Sequence, residues 1–224
     1  MSQPESQRRA YLEAMGIDVW LPRGHEDAAA EEESPVADSA LDWQGLRDAV
    51  SRCTRCELAS SRTQTVFGVG NPQADWMIIG EAPGAEEDRR GEPFVGRAGK
   101  LLDEMLRAVG QAREQVFIAN ILKCRPPNNR DPKPDEAASC REYLDAQIAQ
   151  VKPRIVIAVG RIAAQNLLGS DAPVGRLRSR VHDLDGVPLV VTYHPAYLLR
   201  SPSQKQKAWD DLCLAMTTLA EARA

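Results

Sequence analysis

The sequence predicts an α/β protein, a three-layer sandwich in which helices cover both faces of a central, mostly parallel four-stranded sheet. From Trp43 onward, four short apolar runs typical of buried strands alternate with three stretches of helical periodicity. Strands that alternate with helices form parallel sheets, and the helices cover the two faces. At 224 residues with 43% apolar composition, the chain is long enough for one sizeable core.

The predicted elements follow one another regularly along the chain. The predicted strands lie within residues 75–80, 115–123, 154–160 and 188–194, and the predicted helices span residues 98–110, 134–151 and 160–169. The dipeptide Asp185-Gly186 precedes the last strand and is typical of a tight hairpin turn. A hairpin is therefore expected to lead into that strand.

Residues 1–42 are predicted to form an N-terminal extension, and residues 43–224 a separate folded domain. The extension carries 3 basic and 10 acidic residues, whereas the rest of the chain carries 25 and 22. Residues 23–42, rich in acids, Ala and Ser, are typical of a disordered tether, and a short helix is predicted within residues 8–22. The mildly basic remainder is compatible with a nucleic-acid partner.

Several classes of protein are excluded by the distribution of apolar residues. No apolar run approaches the roughly 18 residues of a membrane span, so no membrane partner is expected. Residues 1–16 lack the apolar core of a secretory signal, which makes the cytoplasm the expected location. In a reducing compartment, five cysteines favour metal binding or single buried thiols over disulfides.

Four of the cysteines have a spacing that suits a metal centre. Two residues separate Cys53 from Cys56, which lets both thiolates face one centre, and Cys124 and Cys140 follow with 15 residues between them. The spacing leaves zinc and an iron–sulfur cluster as equal alternatives, and unrelated buried cysteines as a third. Cys213 stands apart on a C-terminal helix, at an apolar position where a core residue is expected.

Three polar segments follow predicted strands, at the carboxyl ends where parallel sheets bind ligands. They are GEAPGAEEDRRGEPFVGRAGK at residues 80–100, NILKCRPPNNR at residues 120–130 and YHPAYLLR at residues 193–200. The first is too polar and too rich in glycine to belong to a core. The three segments are therefore expected to form one binding site.

In this order, and interleaved with the four cysteines, these segments resemble the family 4 uracil-DNA glycosylases, the bacterial and archaeal type with an iron–sulfur cluster. The resemblance covers roughly residues 43–220. It implies a monomeric DNA-repair enzyme that flips uracil out of DNA and hydrolyses its N-glycosidic bond. It also implies uracil-containing DNA as the partner and a [4Fe–4S] cluster as the cofactor, held by Cys53, Cys56, Cys124 and Cys140.

The resemblance places the flipped uracil in a pocket at the strand ends. Phe94 would be the stacking platform, the alternative being that it fills the core. The amide of Asn120 offers a donor and an acceptor that match O4 and N3–H of uracil, the alternative being a strand-end cap. Gly80 and Ala82, from the first polar segment, are also expected at the bound base.

Cleavage of the glycosidic bond leaves negative charge on uracil and positive charge on the sugar. His194 resembles the motif histidine and is expected to donate a hydrogen bond to the anion, the alternative being a structural histidine. Family 1 enzymes carry an aspartate where this chain has Ala82, so the water-orienting role must be reassigned or reduced. Glu81 and Glu87 remain for the water, the sugar or the pocket wall, and the family pattern places Glu87 beside the methyl group of thymine.

A second group of residues is expected to hold the DNA. Leu198 follows the histidine as the wedge does in related glycosylases, and is expected to fill the gap left by the flipped base. The alternative is that Leu198 and Leu199 are buried in the core. Basic residues near the same strand ends are expected to contact phosphates, namely Arg97, Lys100 and Arg200, with Arg125 and Arg130.

Two other functions are compatible with parts of the pattern. One is a uracil-DNA binder of the same superfamily that becomes covalently trapped through a histidine. It carries a basic, histidine-containing insertion after the first motif, where this chain has only EEDRRGEPFVG. The other is a non-enzymatic, metal-containing DNA-binding module, which would need a basic patch but no pocket. Phe94, Asn120 and His194 together argue against this module.

Overall fold

The structure, a computed structural model, describes residues 41–221. The helix predicted within residues 8–22 and the predicted tether up to residue 40 lie outside the described residues. The first described helix, α1, spans Trp43–Arg52. The carboxylate of Asp42 caps this helix by accepting a hydrogen bond from the backbone N–H of Gly45 at 2.7 Å.

The centre of the described chain is a six-stranded sheet in the order β1-β3-β2-β4-β6-β5. Its strands are β1 Val69–Gly70, β2 Trp76–Gly80, β3 Phe117–Asn120, β4 Ile155–Val159, β5 Val181–Leu184 and β6 Val187–Thr192. The four inner strands pair in parallel, and the two edge strands pair antiparallel to their neighbours. The prediction of a four-stranded sheet is therefore wrong: the sheet is mixed, and the four predicted runs form only its parallel centre.

The two additional strands have a physical reason. β1 is only two residues long and pairs with β3 at Ile118 and Phe117, so its conformation comes from a distant partner and not from a local apolar run. β5 is the outer arm of the hairpin predicted at Asp185-Gly186. Both turn residues adopt positive φ, 51° and 88°, as a tight hairpin turn requires, so the hairpin prediction is confirmed.

Within residues 41–221, seven further helices connect and cover the strands. They are α2 Ala85–Arg90, α3 Arg97–Ala108, α4 Pro134–Val151, α5 Arg161–Leu168, α6 Val174–Leu177, α7 Pro195–Arg200 and α8 Lys205–Glu221. Short 3₁₀ turns occur at Glu57–Ser60, Pro127–Asn129 and Pro202–Gln204. The three helices predicted from periodicity correspond to α3, α4 and α5. Cys213, expected in the core, lies on α8 and is only partly buried.

Successive residues of β2 point to opposite faces of the sheet and supply two separate cores. Met77 and Ile79 pack with residues of α1, α4 and α5, whereas Trp76 and Ile78 pack with residues of α3 and α8. Burying each such large side chain stabilises the fold by about 1.5–3 kcal/mol. The predicted arrangement, with helices on both faces of the sheet, is present. Within the described residues, no helix has the length and apolar character needed to span a membrane.

Candidate active site

A cavity of about 500 Å³ lies at the carboxyl ends of β2, β3 and β6, where ligand binding was predicted. It brings seven predicted site residues together, six expected at the base or in the reaction and one, Arg200, expected to contact DNA. The residues that line the cavity are Glu81, Ala82, Gly84, Glu87, Phe94, Ala98, Asn120, Asn129, His194, Ala196, Tyr197 and Arg200. The three polar segments therefore meet in one place.

The backbone around Phe94 is unusual, and its neighbours hold it in place. Phe94 adopts a positive φ of 55°, which is rare for a bulky residue, and is 7% exposed. A Cβ atom on Gly99 would lie 1.6 Å from the carbonyl oxygen of Phe94, so the close approach of α3 requires glycine there. The carboxylate of Glu87 accepts hydrogen bonds from the backbone N–H groups of Val95 at 3.0 Å and Gly96 at 3.2 Å. Glu87 thus fixes the loop that presents the phenyl ring.

Gly80 and Asn120 end the neighbouring strands β2 and β3 and lie in register. A Cβ atom on Gly80 would lie 2.4 Å from Oδ1 of Asn120 and 2.6 Å from Cζ of Phe94, so glycine is needed between the two side chains. Asn120 is 2% exposed, and within residues 41–221 no group donates a hydrogen bond to its Oδ1. Because a buried amide oxygen without a donor is costly, this atom is suited to accept from a ligand.

His194 is fixed at the N-terminus of α7 by its own ring. Its Nδ1 accepts a hydrogen bond from the backbone N–H of Ala196 at 3.1 Å, so the ring proton belongs to Nε2. The ring stacks on that of Phe94, with centroids 5.6 Å apart and planes 28° apart. Burial, followed by the positive charge of Arg200, lowers the pKa of His194 to about 4, against the opposing charge of Glu87. At neutral pH the side chain is therefore an uncharged donor.

The depressed pKa makes the stability of the protein depend on pH. The pKa of about 4 in the folded state lies below the 6.5 of an ordinary histidine, so the unfolded chain takes up a proton first as the pH falls. The free energy of unfolding should therefore fall between pH 6.5 and 4, and we expect the loss from this residue to be about 2 kcal/mol after allowance for solvent in the pocket. Denaturant titrations at several pH values would measure it.

His194→Asn is the matched control for this pH dependence, because asparagine can still accept the capping hydrogen bond but does not titrate. The difference in unfolding free energy between parent and variant should shrink on acidification across the same window. An unchanged difference from pH 6.5 to 4 would show that His194 takes up its proton normally in the folded protein.

The acidic residues of the first motif are placed differently from one another. Glu81 is half-buried at the cavity, where burial raises its pKa and the charge of Asp131 raises it further, while Arg161 opposes both. Glu86 is exposed and pairs with Arg89. Asp88, by contrast, is 4% exposed, and its carboxylate accepts hydrogen bonds from the backbone N–H groups of Thr63 and Gln64. Only Glu81 and Glu87 of these acids line the cavity.

The structure contradicts the wedge role predicted for Leu198. This side chain is 1% exposed and lies against α3 and α8, beside Met105 and Leu212. The apolar faces of these two helices cover it, so it belongs to the core of the protein. Its neighbours Tyr197 and Leu199 are each 37% exposed.

The basic residues separate into paired and unpaired groups. Arg97, Lys100 and Arg200 are exposed, and none of them forms an ion pair with another described residue. Arg130, by contrast, pairs with the buried carboxylate of Glu136 at 2.5 Å. Three of the five predicted phosphate contacts are thus available to an anionic ligand, whereas Arg130 stabilises the fold.

Cys53, Cys56, Cys124 and Cys140 line one cavity between the segment after α1, the segment after β3 and α4. Three of these cysteines are at least 93% buried, and Cys56 is partly buried. Among residues 41–221, no three His, Cys, Asp or Glu side chains are arranged to hold a metal ion. The structure thus brings the four thiols to one cavity, without a ready-made site for a single metal ion among the described residues.

Positive charge surrounds this cysteine cavity. Arg62 donates a hydrogen bond to Sγ of Cys124 at 3.1 Å, and the buried side chain of Lys123 also lines the cavity. Burial raises the pKa of Cys124 to about 12, although Arg62 opposes the rise. Four thiolates carry more negative charge than a zinc ion or a cubane core neutralises, so these cations suit such a centre.

Sequence reasoning missed two residues that contribute to the sites. Asn129 lines the pocket, where its side-chain oxygen accepts from Nε of Arg125 at 2.8 Å. Asn128 and Asn129 both adopt positive φ, near 55°, a conformation that asparagine tolerates, so the Asn-Asn pair after two prolines was the available signal. Lys123 gave no comparable signal, because its burial depends on residues distant in sequence.

Comparison with known proteins agrees with this geometry. The model of the uracil DNA glycosylase superfamily matches residues 67–213. A type-4 uracil-DNA glycosylase from Archaeoglobus fulgidus is 42% identical over 170 residues, which are 72% of this chain and 85% of that protein. The corresponding protein from Thermotoga maritima is 44% identical over 162 residues, 71% of this chain and 84% of its own length. A third, from Pyrobaculum aerophilum, is 42% identical over 185 residues, 78% and 93% of the two chains.

The matched family model spans all six strands of the sheet and every residue that lines the cavity. The chain belongs to the uracil-DNA glycosylase superfamily, and within it to the type-4 family.

Proposed function

We propose that this protein removes uracil from DNA by hydrolysing the N-glycosidic bond of a flipped-out nucleotide, leaving an abasic site. The observation that carries the proposal is the composition of the pocket. One cavity holds the aromatic ring of Phe94, an uncharged imidazole on His194 and a buried amide oxygen on Asn120 to which no described residue donates. A pyrimidine can interact with all three groups: Asn120 would bind its polar edge, Phe94 would stack on its flat face, and His194 would donate to the departing anion.

Asn120 would read the base. Its Oδ1 would accept from N3–H of uracil, and its amide nitrogen would donate to O4. Cytosine presents an amino donor in place of O4 and would oppose that nitrogen. Phe94 would stack against the ring, while Glu87, fixed by its two backbone hydrogen bonds, would line the side where thymine carries its methyl group.

His194 would stabilise the leaving group. With its proton on Nε2, the uncharged ring would donate to O2 of uracil as negative charge develops there. Glu81 is the acid at the cavity that remains to interact with the attacking water or with the positive charge on the sugar. Ala82, which also lines the cavity, has no group that could orient the water.

Holding the DNA would fall to the rim of the pocket. Arg97, Lys100 and Arg200 are exposed and free of ion pairs among the described residues, so they would bind phosphates. The exposed side chains on α7, Tyr197 and Leu199, are the candidates to enter the duplex in place of the buried Leu198.

The four cysteines would hold a [4Fe–4S] cluster, which would supply structural cross-links between the segments that carry them. The purified protein should be brown, with a broad thiolate-to-iron absorption and about four irons per chain. Because ligation contributes free energy of folding, Cys124→Ala should lower soluble yield or melting temperature and reduce iron content. One zinc per chain and no iron would contradict the cluster.

The catalytic proposal is tested with an oligonucleotide that contains one labelled uracil. Incubation should release free uracil, and subsequent alkali should cleave the strand at the abasic site. An adduct of protein and DNA that resists denaturation would instead identify a covalently trapped binder. Binding without release of uracil would identify a non-enzymatic DNA-binding module.

A further inference from the structure

Lys123 lies between the base pocket and the cysteine cavity. Its side chain is 1% exposed, and its ammonium donates to the backbone carbonyl of Asn120 at 2.8 Å and to the amide oxygen of Gln147 at 2.6 Å. The amide nitrogen of Gln147 donates in turn to the carbonyl of Phe67 at 2.9 Å. A buried chain of hydrogen bonds therefore fixes the carbonyl group of the proposed base-reading residue.

The charge of this lysine has no carboxylate partner within the described part of the chain. Lys123 lines the same cavity as Cys124 and Cys140. An unpaired buried ammonium is costly unless negative charge lies nearby, and four thiolates around a cluster would supply that charge. Lys123 thus lines the expected cluster site and holds the end of β3 through its ammonium.

The segment between the two sites is short and well bonded. The backbone N–H of Ile121 donates to the carbonyl of Gly80 at 2.9 Å, and that of Leu122 donates to Glu81 at 3.0 Å. A displacement of the lysine would therefore move the peptide group that follows Asn120, because the backbone of Ile121 and Leu122 is held by these bonds and cannot absorb the change.

We propose that Lys123 is a positioning residue that couples the cysteine site to base recognition by Asn120. This inference rests on the proposed function, in which Asn120 reads uracil. When the thiolates and their cluster hold the ammonium in place, the ammonium holds the carbonyl of Asn120 and thereby the angle of its amide. Replacing Lys123 should therefore reduce the discrimination between uracil and cytosine more than it reduces the iron content of the protein.

The test compares affinities for two oligonucleotides that resist cleavage, one with 2′-fluoro-2′-deoxyuridine and one with 2′-fluoro-2′-deoxycytidine. The ratio of the two dissociation constants measures discrimination. Lys123→Met, with a side chain of similar length, should lower this ratio by about tenfold, because the carbonyl of Asn120 loses its donor. Iron content per chain should stay close to that of the parent.

Two variants separate this role from a general structural one. Lys133→Met makes the same change at a half-exposed lysine on the N-terminal side of α4 and should leave the ratio unchanged. Arg62→Gln removes another cation from the cysteine cavity without touching Asn120, and should change the ratio by less than about threefold. An equal loss of discrimination in Arg62→Gln and Lys123→Met would overturn the proposal.

The remaining outcomes are also decisive. If Lys123→Met folds and keeps the parental ratio, Lys123 does not position Asn120. If it does not fold, Gln147→Leu removes the second acceptor of the ammonium and should lower the ratio by about threefold; an unchanged ratio there overturns the proposal. A parent protein that does not distinguish the two oligonucleotides would refute the proposed base recognition itself.

Discussion

His194→Ala is expected to slow single-turnover excision of uracil by about 100-fold to 1000-fold, the usual cost of removing one preorganised donor to a developing anion. The affinity for uracil-containing DNA should stay within about tenfold of the parent, because the donor acts mainly in the transition state. Single-turnover rates at saturating enzyme, together with dissociation constants for a cleavage-resistant substrate, would separate the two effects.

The control for this prediction uses the second function of the histidine. His194 also caps α7 through its Nδ1, so its loss could weaken the helix as well as the chemistry. His194→Asn can keep the capping bond, but its shorter side chain is expected to fall short of the position of Nε2. Both variants should therefore be slow. An alanine variant that excises uracil at the parental rate would show that His194 is structural.

Asn120→Asp is expected to lower excision of uracil strongly. The substitution replaces the amide nitrogen with an oxygen that only accepts when ionised, which opposes O4 of uracil and matches the amino group of cytosine. An unmatched buried polar group costs about 1–3 kcal/mol, and a buried charge costs more. If the pocket keeps its shape, weak excision of cytosine should become detectable with a cytosine-containing oligonucleotide.

The comparison counts only if the Asn120→Asp protein remains folded. Circular dichroism and the visible absorption of the cluster should match those of the parent. A change in the shape of this side chain is poorly tolerated, because Oδ1 of Asn120 already fills the space beside Gly80. A folded variant that removes uracil at the parental rate would show that Asn120 serves only to end β3.

The parallel centre of the sheet could be predicted because each inner strand is an apolar run buried on both faces. The edges could not be predicted in the same way. Val69–Gly70 is too short to form a pattern, and becomes a strand only by pairing with β3. The hairpin was predictable because its turn is local, and Asp185-Gly186 specifies it without distant partners.

The pocket was predicted from sequence motifs, and the residues that this prediction misplaced or missed have a physical explanation. Asn120 ends β3 and His194 follows β6, whose carboxyl ends lie at the same edge of the sheet, and the loop between α2 and α3 brings Phe94 to them. Leu198 was misplaced because the sequence of α7 does not show that α3 and α8 cover it. Lys123 resembles any lysine at a strand end, and its burial depends on Gln147, 24 residues further along the chain.

The left-handed backbone of Phe94 has a thermodynamic consequence for binding. Such a conformation costs of order 1 kcal/mol or more, and it persists because Gly99 and Glu87 fix the chain around it. The ring is therefore immobilised before any base binds, so the entropy cost of ordering it is part of the free energy of folding and not of binding. A base that enters the pocket meets a surface already in place, so its binding free energy is not reduced by the entropy cost of ordering that surface.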